Sequence, residues 1–121
     1  MPDASTVDAF VSLVKSGDYV GAIERFYSVD ASMQENDDQP RVGRDVLVAA
    51  ERQFMSMFRS ITAESVGPAL INGDHVAVRW RFVFESFEGP KLVLDEIAWQ
   101  KWRADQIVEE KFFYDPKQIG R

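Results

Sequence analysis

The chain has 121 residues, 45% of them hydrophobic and 12% aromatic, with no cysteine and a formal charge of −6. This length holds one ordinary domain without room for a second independent core, and the composition is globular rather than disordered. The missing cysteines exclude disulfides, thiol nucleophiles and thiolate metal sites; the negative charge and scattered basic residues speak against a nucleic-acid partner.

The first residues, Met1-Pro2-Asp3-Ala4-Ser5-Thr6, form neither the basic segment nor the apolar run of a signal peptide. No stretch approaches the ~18 consecutive apolar residues of a membrane span. The expectation is a cytoplasmic protein with no membrane partner. One domain is expected over residues 1–121, with 1–4 and 117–121 as loosely ordered tails.

Val7, Phe10, Val11 and Val14 recur at i, i+3, i+4 and i+7, which predicts a first helix. Asp3 or Ser5 can cap its start, and Gly17 stops it. Asp18 then stands where a second N-cap belongs, before the helical spacing of Tyr19, Ala22, Ile23 and Phe26. Ala31 to Glu35 reads as a short strand running into the polar loop Asn36-Asp37-Asp38-Gln39-Pro40. A third helix is expected from Arg44 to Arg59, with Leu47, Ala50, Phe54, Met57 and Phe58 on its apolar face and Arg44, Glu51 and Arg52 opposite.

Beyond residue 60 the period falls to two. Glu64 to Ile71 predicts a strand ended by the hairpin signal Asn72-Gly73-Asp74. Val76, Val78, Trp80, Phe82 and Phe84 alternate with Ala77, Arg79, Arg81, Val83 and Glu85 in a long strand. Turns at Glu88-Gly89-Pro90 and Arg103-Ala104-Asp105 separate a strand from Leu92 to Trp102 and another from Gln106 to Tyr114, and Pro116 closes the pattern. Helices followed by a meander predict an α+β domain with helices on one face of a mainly antiparallel sheet. Trp80, Phe82, Phe84, Trp99 and Trp102 exceed what one small core is expected to hold. The outer sheet face is therefore expected to be covered in a homodimer.

This order resembles the nuclear-transport-factor-2-like superfamily, and within it the SnoaL-like domains related to ketosteroid isomerases and polyketide cyclases. The resemblance is carried by Ser16-Gly17-Asp18, Phe26-Tyr27-Ser28-Val29-Asp30-Ala31-Ser32, Pro40-Arg41-Val42-Gly43-Arg44, and Gln106-Ile107-Val108-Glu109-Glu110 leading to Phe113-Tyr114-Asp115-Pro116. It implies a cone in which a curved sheet wraps three N-terminal helices and its open mouth admits a small apolar ligand. In ketosteroid isomerases the catalytic base precedes a Pro-Arg-x-Gly element, and Glu35 falls nearest that place. The two donors of their oxyanion hole match Phe10 and Ala98 here, so both are absent. Losing one such donor commonly costs about 3 kcal/mol, which argues against steroid isomerisation by that route.

Glu35, Glu96 and Glu110 are the candidate catalytic residues. Glu35 sits at a strand end beside a loop and is either a base in a pocket or a solvated loop side chain. Glu96 shares a face with Leu92, Leu94 and Ala98, and Glu110 with Val108, Phe112 and Tyr114, by the two-residue period. Each either lines a cavity or joins a cross-strand ion pair with Arg79 or Arg81. Arg79 and Trp80 point to opposite faces, so at most one lines a cavity; Tyr27 and Tyr114 are candidate hydroxyl donors to a ligand. His75, the lone histidine, follows a hairpin turn and is expected in solvent. One histidine and no cysteine leave no zinc site, and no phosphate cradle, nucleophile elbow or cofactor motif is present. Three functions fit: a cofactor-free acid–base enzyme of isomerase, cyclase or dehydratase type acting on a small apolar carbonyl compound, a non-catalytic binder of such a ligand, or a dimeric interaction module.

Overall fold

Asp3 accepts a hydrogen bond from the Thr6 amide at 2.8 Å and opens helix α1, Ala4–Lys15, in the computed structural model, which describes residues 1–120. Gly17, at φ 92°, lets the chain reverse into α2, Tyr19–Phe26, where the Asp18 carboxylate caps the Gly21 amide at 2.9 Å. Strand β1, Tyr27–Glu35, continues directly from α2 and is longer than the five residues its sequence suggests. After the loop come the short β2, Arg41–Val42, and α3, Arg44–Met55.

Helix α3 stops four residues before the expected Arg59. Phe58 already belongs to strand β3, Phe58–Ser65, pairing with Ser86. The apolar spacing runs on through Phe58 because its ring returns to the same aromatic cluster, 5.1 Å from Phe54 and 5.0 Å from Phe84, although its backbone is extended. The strand expected over Glu64–Ile71 is likewise broken into the end of β3 and the short β4, Leu70–Asn72, with Gly67 at φ 77° and Pro68 between them. Strands β5, His75–Ser86, β6, Leu92–Arg103, and β7, Gln106–Phe113, complete the meander.

The sheet runs β2-β1-β7-β6-β5-β3, with β4 beside β5. All neighbours are antiparallel except β1 and β7, whose parallel pairing lets the N-terminal third close against the last strand. The fold is the expected α+β cone of three helices in a curved, mainly antiparallel sheet. Core side chains come from α1 and α2 (Val7, Phe10, Ile23, Phe26) and from the inner face of the sheet (Val76, Val78, Trp102, Ile107). Phe10 meets Phe26, Tyr27 and Trp102 edge-on with ring centroids 5.5–6.1 Å apart.

The two ends expected as loose tails carry contacts. Pro2 is buried, and the Met1 ammonium lies 2.9 Å from Asp74. Residues Pro116–Ile119 form one 3-10 turn capped by Asp115, and Gln118 there exchanges hydrogen bonds with the backbone of Asp95. Arg121 lies outside the described residues.

Aromatic side chains fill the interior more completely than expected. Trp80, Phe84 and Trp102 are buried and Phe82 is half-buried, leaving only Trp99 of the five on the outer face. There Trp99 is 48% exposed and stacks on the exposed His75.

Candidate functional site

Between the helices and the inner face of the sheet lies a cavity of about 380 Å³. Its walls are largely apolar and aromatic, with Phe54 from α3, Trp80, Phe82 and Phe84 from β5, and Phe112 from β7. Four carboxyls reach it, those of Glu35, Glu51, Glu96 and Glu110, together with one guanidinium, that of Arg41.

Glu110 is the deepest of these. It stands opposite Gln100 across β6–β7 and beside Met33 across β1–β7. The Tyr27 hydroxyl donates a very short hydrogen bond to its Oε1, and Gln100 Nε2 donates to Oε2 at 2.6 Å. Trp102 Nε1 donates to Gln100 Oε1 at 2.9 Å. Because an indole N–H can only donate, this contact fixes which end of the Gln100 amide faces Glu110. Burial pushes the Glu110 carboxyl up to about 7, against the two hydrogen bonds that favour its charged form. Burial, and after it the charge of Glu110, holds the Tyr27 phenol well above its ordinary range.

The period-two alternation expected on β7 is interrupted on the way to Glu110. Lys101 pairs with Glu109 but Trp102 with Ile107, so Val108 is an extra residue and the strand carries a bulge. The bulge turns both Ile107 and Glu110 inward and leaves Glu109 exposed, so Ile107 does not share a face with Glu109 as plain alternation predicts.

Glu96 stands on β6 opposite Trp80 and faces the cavity with Leu94. It is 7% exposed and makes no hydrogen bond or ion pair among the described residues. Burial first, then the neighbouring Glu110, Glu35 and Glu51, raises its carboxyl to about 8. A carboxyl in that state is protonated at neutral pH and can donate one hydrogen bond into the cavity.

Glu35 occupies the mouth, at the end of β1 beside Phe112. Arg41 Nη1 donates to its Oε2 at 2.9 Å and the Tyr114 hydroxyl to its Oε1 at 3.3 Å, while both charged side chains remain about one-third exposed. Arg41 reaches it because β2 pairs with β1, placing Arg41 across from Met33.

Of the residues singled out from sequence, the cavity brings together Glu35, Glu96, Glu110, Tyr27, Trp80 and Tyr114. Arg79 is the exception. Trp80 takes the inner face, so Arg79 points outward, where it forms a two-pronged pair with Asp95 at 2.7 and 3.0 Å. The cross-strand pairs expected for Glu96 and Glu110 with Arg79 or Arg81 therefore do not form, because both arginines share the outer face.

Three polar residues were not picked out as site residues. Arg41 was visible only as part of the Pro-Arg-x-Gly element. Glu51 was expected on the outer side of α3, yet Leu47, Glu51 and Phe54 fall at i, i+4 and i+7, the cavity-facing stripe. Burial chiefly raises the Glu51 carboxyl, with Arg41 opposing and Glu35 adding to the rise. Gln100 was signalled by its parity with Glu96 and Trp102 on β6. Among the described residues no three acidic or histidine side chains converge closely enough to hold a metal ion.

This cone with a carboxyl-lined cavity belongs to a fold class that includes polyketide cyclases and isomerases. The chain belongs to the SnoaL-like domain family, whose sequence model matches residues 7–110. Comparison with curated proteins gives no match. Among solved structures it is similar to a protein from Mesorhizobium loti provisionally designated a SnoaL-like polyketide cyclase, at 26% identity and a TM-score of 0.77 over 92% of this chain and 97% of that one. A protein of ketosteroid-isomerase-like fold from Catenulispora acidiphila, in complex with trimethylamine, shares 14% identity with a TM-score of 0.80 over 96% and 89%. TerC co-crystallised with polyporic acid shares 12% with a TM-score of 0.80 over 95% and 92%.

Proposed function

We propose that the chain is a cofactor-free acid–base enzyme acting on a small, largely apolar carbonyl compound held in the cone. The observation that carries this reading is Glu96, a buried carboxyl that faces a cavity of ligand size without a hydrogen-bond partner. Because it opens on the cavity and no side chain among the described residues engages it, its proton is available to a carbonyl oxygen bound there. Support also comes from the contrast in surroundings between buried Glu96 and the partly exposed, Arg41-paired Glu35, which suits one group as acid and the other as base.

In this reading the Glu35 carboxylate takes a proton from the carbon alpha to the carbonyl. The C–H electron pair becomes the enol double bond, and the carbonyl π pair moves to oxygen, which is stabilised by the Glu96 proton. Return of a proton to the same carbon gives exchange, and to a conjugated one gives isomerisation. Arg41 and Tyr114 position Glu35. Glu110, occupied on both oxygens by Tyr27 and Gln100, is not free to act as acid or base; burial holds the proton on Glu96, and the charge of Glu110 only adds to that. Tyr27, Trp80 and Tyr114 shape the ligand space. A cavity of about 380 Å³ also favours a ligand site over the filled cone that a pure interaction module requires, ligand sites starting at roughly 300 Å³.

The test is deuterium wash-in at the alpha carbon of 2-tetralone and related cyclic ketones in heavy water, followed by proton NMR. Exchange above the buffer rate that is lost in Glu35→Gln and reduced about 100-fold or more in Glu96→Leu is expected. Saturable ketone binding without exchange would leave a binder and remove the enzyme.

The homodimer forms through the outer sheet face, where Val93, Ile97, Trp99 and Phe113 are each 39–48% exposed on β6 and β7. Light scattering should give twice the chain mass, falling to the single mass in Ile97→Arg. A single mass for the unaltered chain across the micromolar range rejects the dimer.

A further inference from the structure

The cavity is acidic beyond what its own cation balances. Arg41 is committed to Glu35 at the mouth. Glu110 is solvated only by neutral donors, Tyr27 and Gln100. Glu51 reaches the same space from α3, and among the described residues no hydrogen bond or ion pair engages it. Glu96 adds a fourth carboxyl, more than nine-tenths buried, without a partner and aimed into the space. Around them stand the faces and edges of Phe54, Trp80, Phe82, Phe84 and Phe112. Like charges gathered in an apolar enclosure repel strongly, and only protons or an incoming positive charge relieve them. Aromatic walls and carboxylates together favour one ligand chemistry, an organic cation, through cation–π attraction and direct charge pairing.

We propose that the ligand of this cavity carries a positively charged amine or quaternary ammonium on its apolar body, seated against Glu51 and Glu110 within the aromatic wall. The inference deepens the acid–base reading and rests on it only for the carbonyl group: the substrate class becomes a carbonyl compound bearing a basic nitrogen. Glu96 stays free to donate to the carbonyl, while the ammonium balances the charge that Glu51 and Glu110 leave. An anionic ligand is disfavoured by the same count: one guanidinium faces four carboxyls, and Arg41 already gives Nη1 to Glu35, with its buried Nε left without a partner among the described residues.

Three probes of similar size separate the possibilities: benzyltrimethylammonium, benzyl alcohol and phenylacetate, titrated into the whole protein at pH 8 and followed by calorimetry and by Trp fluorescence, Trp80 lying in the wall. The cation should bind about tenfold or more tightly than the alcohol, and phenylacetate more weakly than both. Glu51→Gln, at a half-buried position that tolerates an amide, should lower cation affinity about fivefold or more and leave the alcohol unchanged. Equal or tighter binding of the alcohol or phenylacetate, absence of saturable cation binding at millimolar concentration, or cation affinity unmoved in Glu51→Gln overturns the proposal. Affinity is read without turnover. Cation preference without deuterium exchange therefore removes only the acid–base reading, and exchange of neutral ketones without cation preference removes only this one.

Discussion

Replacing Glu96 by glutamine tests the electrostatics of the cone most directly. The folded-state carboxyl titrates at about 8, against 4.5 in an open chain. Between those values the folded protein binds a proton that the unfolded chain has released, so stability falls as pH rises. The contribution is fully present below 4.5 and is lost as pH passes through about 8. At about 1.4 kcal/mol per pKa unit, this shift corresponds to roughly 4 to 5 kcal/mol between pH 4.5 and pH 9. Glu110, raised to about 7, and the raised Glu51 act in the same direction. The exposed carboxylates of Asp3, Asp30, Asp74 and Asp95 are held low and act oppositely, but only in acid, below this window. Glutamine mimics the protonated carboxyl and cannot ionise. Urea unfolding followed by Trp fluorescence, repeated from pH 5 to 9, should show a falling midpoint in the unaltered chain and a flatter profile in Glu96→Gln. The two proteins should be of similar stability at pH 5, and the variant the more stable by several kcal/mol at pH 9. An unaltered chain whose stability is level or rises over that range, or a variant with an undiminished slope, would refute a buried, unpartnered Glu96.

Other substitutions probe separate contacts. Trp102→Phe removes the N–H that orients Gln100 and should cost about 1–3 kcal/mol in urea unfolding while the far-ultraviolet circular dichroism stays unchanged. Gly21→Ala is a test of sign: helix propensity alone predicts a gain of roughly 0.5–1 kcal/mol. A Cβ there would lie 2.2 Å from Asp18 Oδ2, so the cap must move away, and the melting temperature should not rise. Arg79→Ala breaks only an exposed ion pair with Asp95, and little change in the urea midpoint with no change in probe affinity is expected. A large loss of affinity in that variant would place Arg79 at the site after all.

Much of the architecture was legible because local chemistry and tertiary structure agree. Asp3, Gly17 and Asp18 punctuate the first two helices with cap and turn chemistry that depends on adjacent residues alone. The alternation from Val76 to Phe84 and from Leu92 to Trp102 fixes β5 and β6 because only one face of the sheet is fully buried. The same parity placed Glu96 among apolar neighbours, and from that alone a buried or paired carboxyl follows. The Pro-Arg-x-Gly element located Glu35 at the strand end that becomes the mouth.

Tertiary structure decided what depends on partners distant in the chain. The end of α3 is set by β3 pairing with β5, which no local signal at Phe58 announces. The bulge at Val108 exists only in the register between β6 and β7, and with it the inward turn of both Ile107 and Glu110. Arg79 and Trp80 alternate whichever way the strand faces, so the choice between them needed the helices that cover one side. The meeting of Glu35, Glu51, Glu96 and Glu110 in one cavity draws on β1, α3, β6 and β7. The raised proton affinities of Glu51, Glu96 and Glu110 arise from that enclosure: burial and mutual repulsion exist only where separate segments converge.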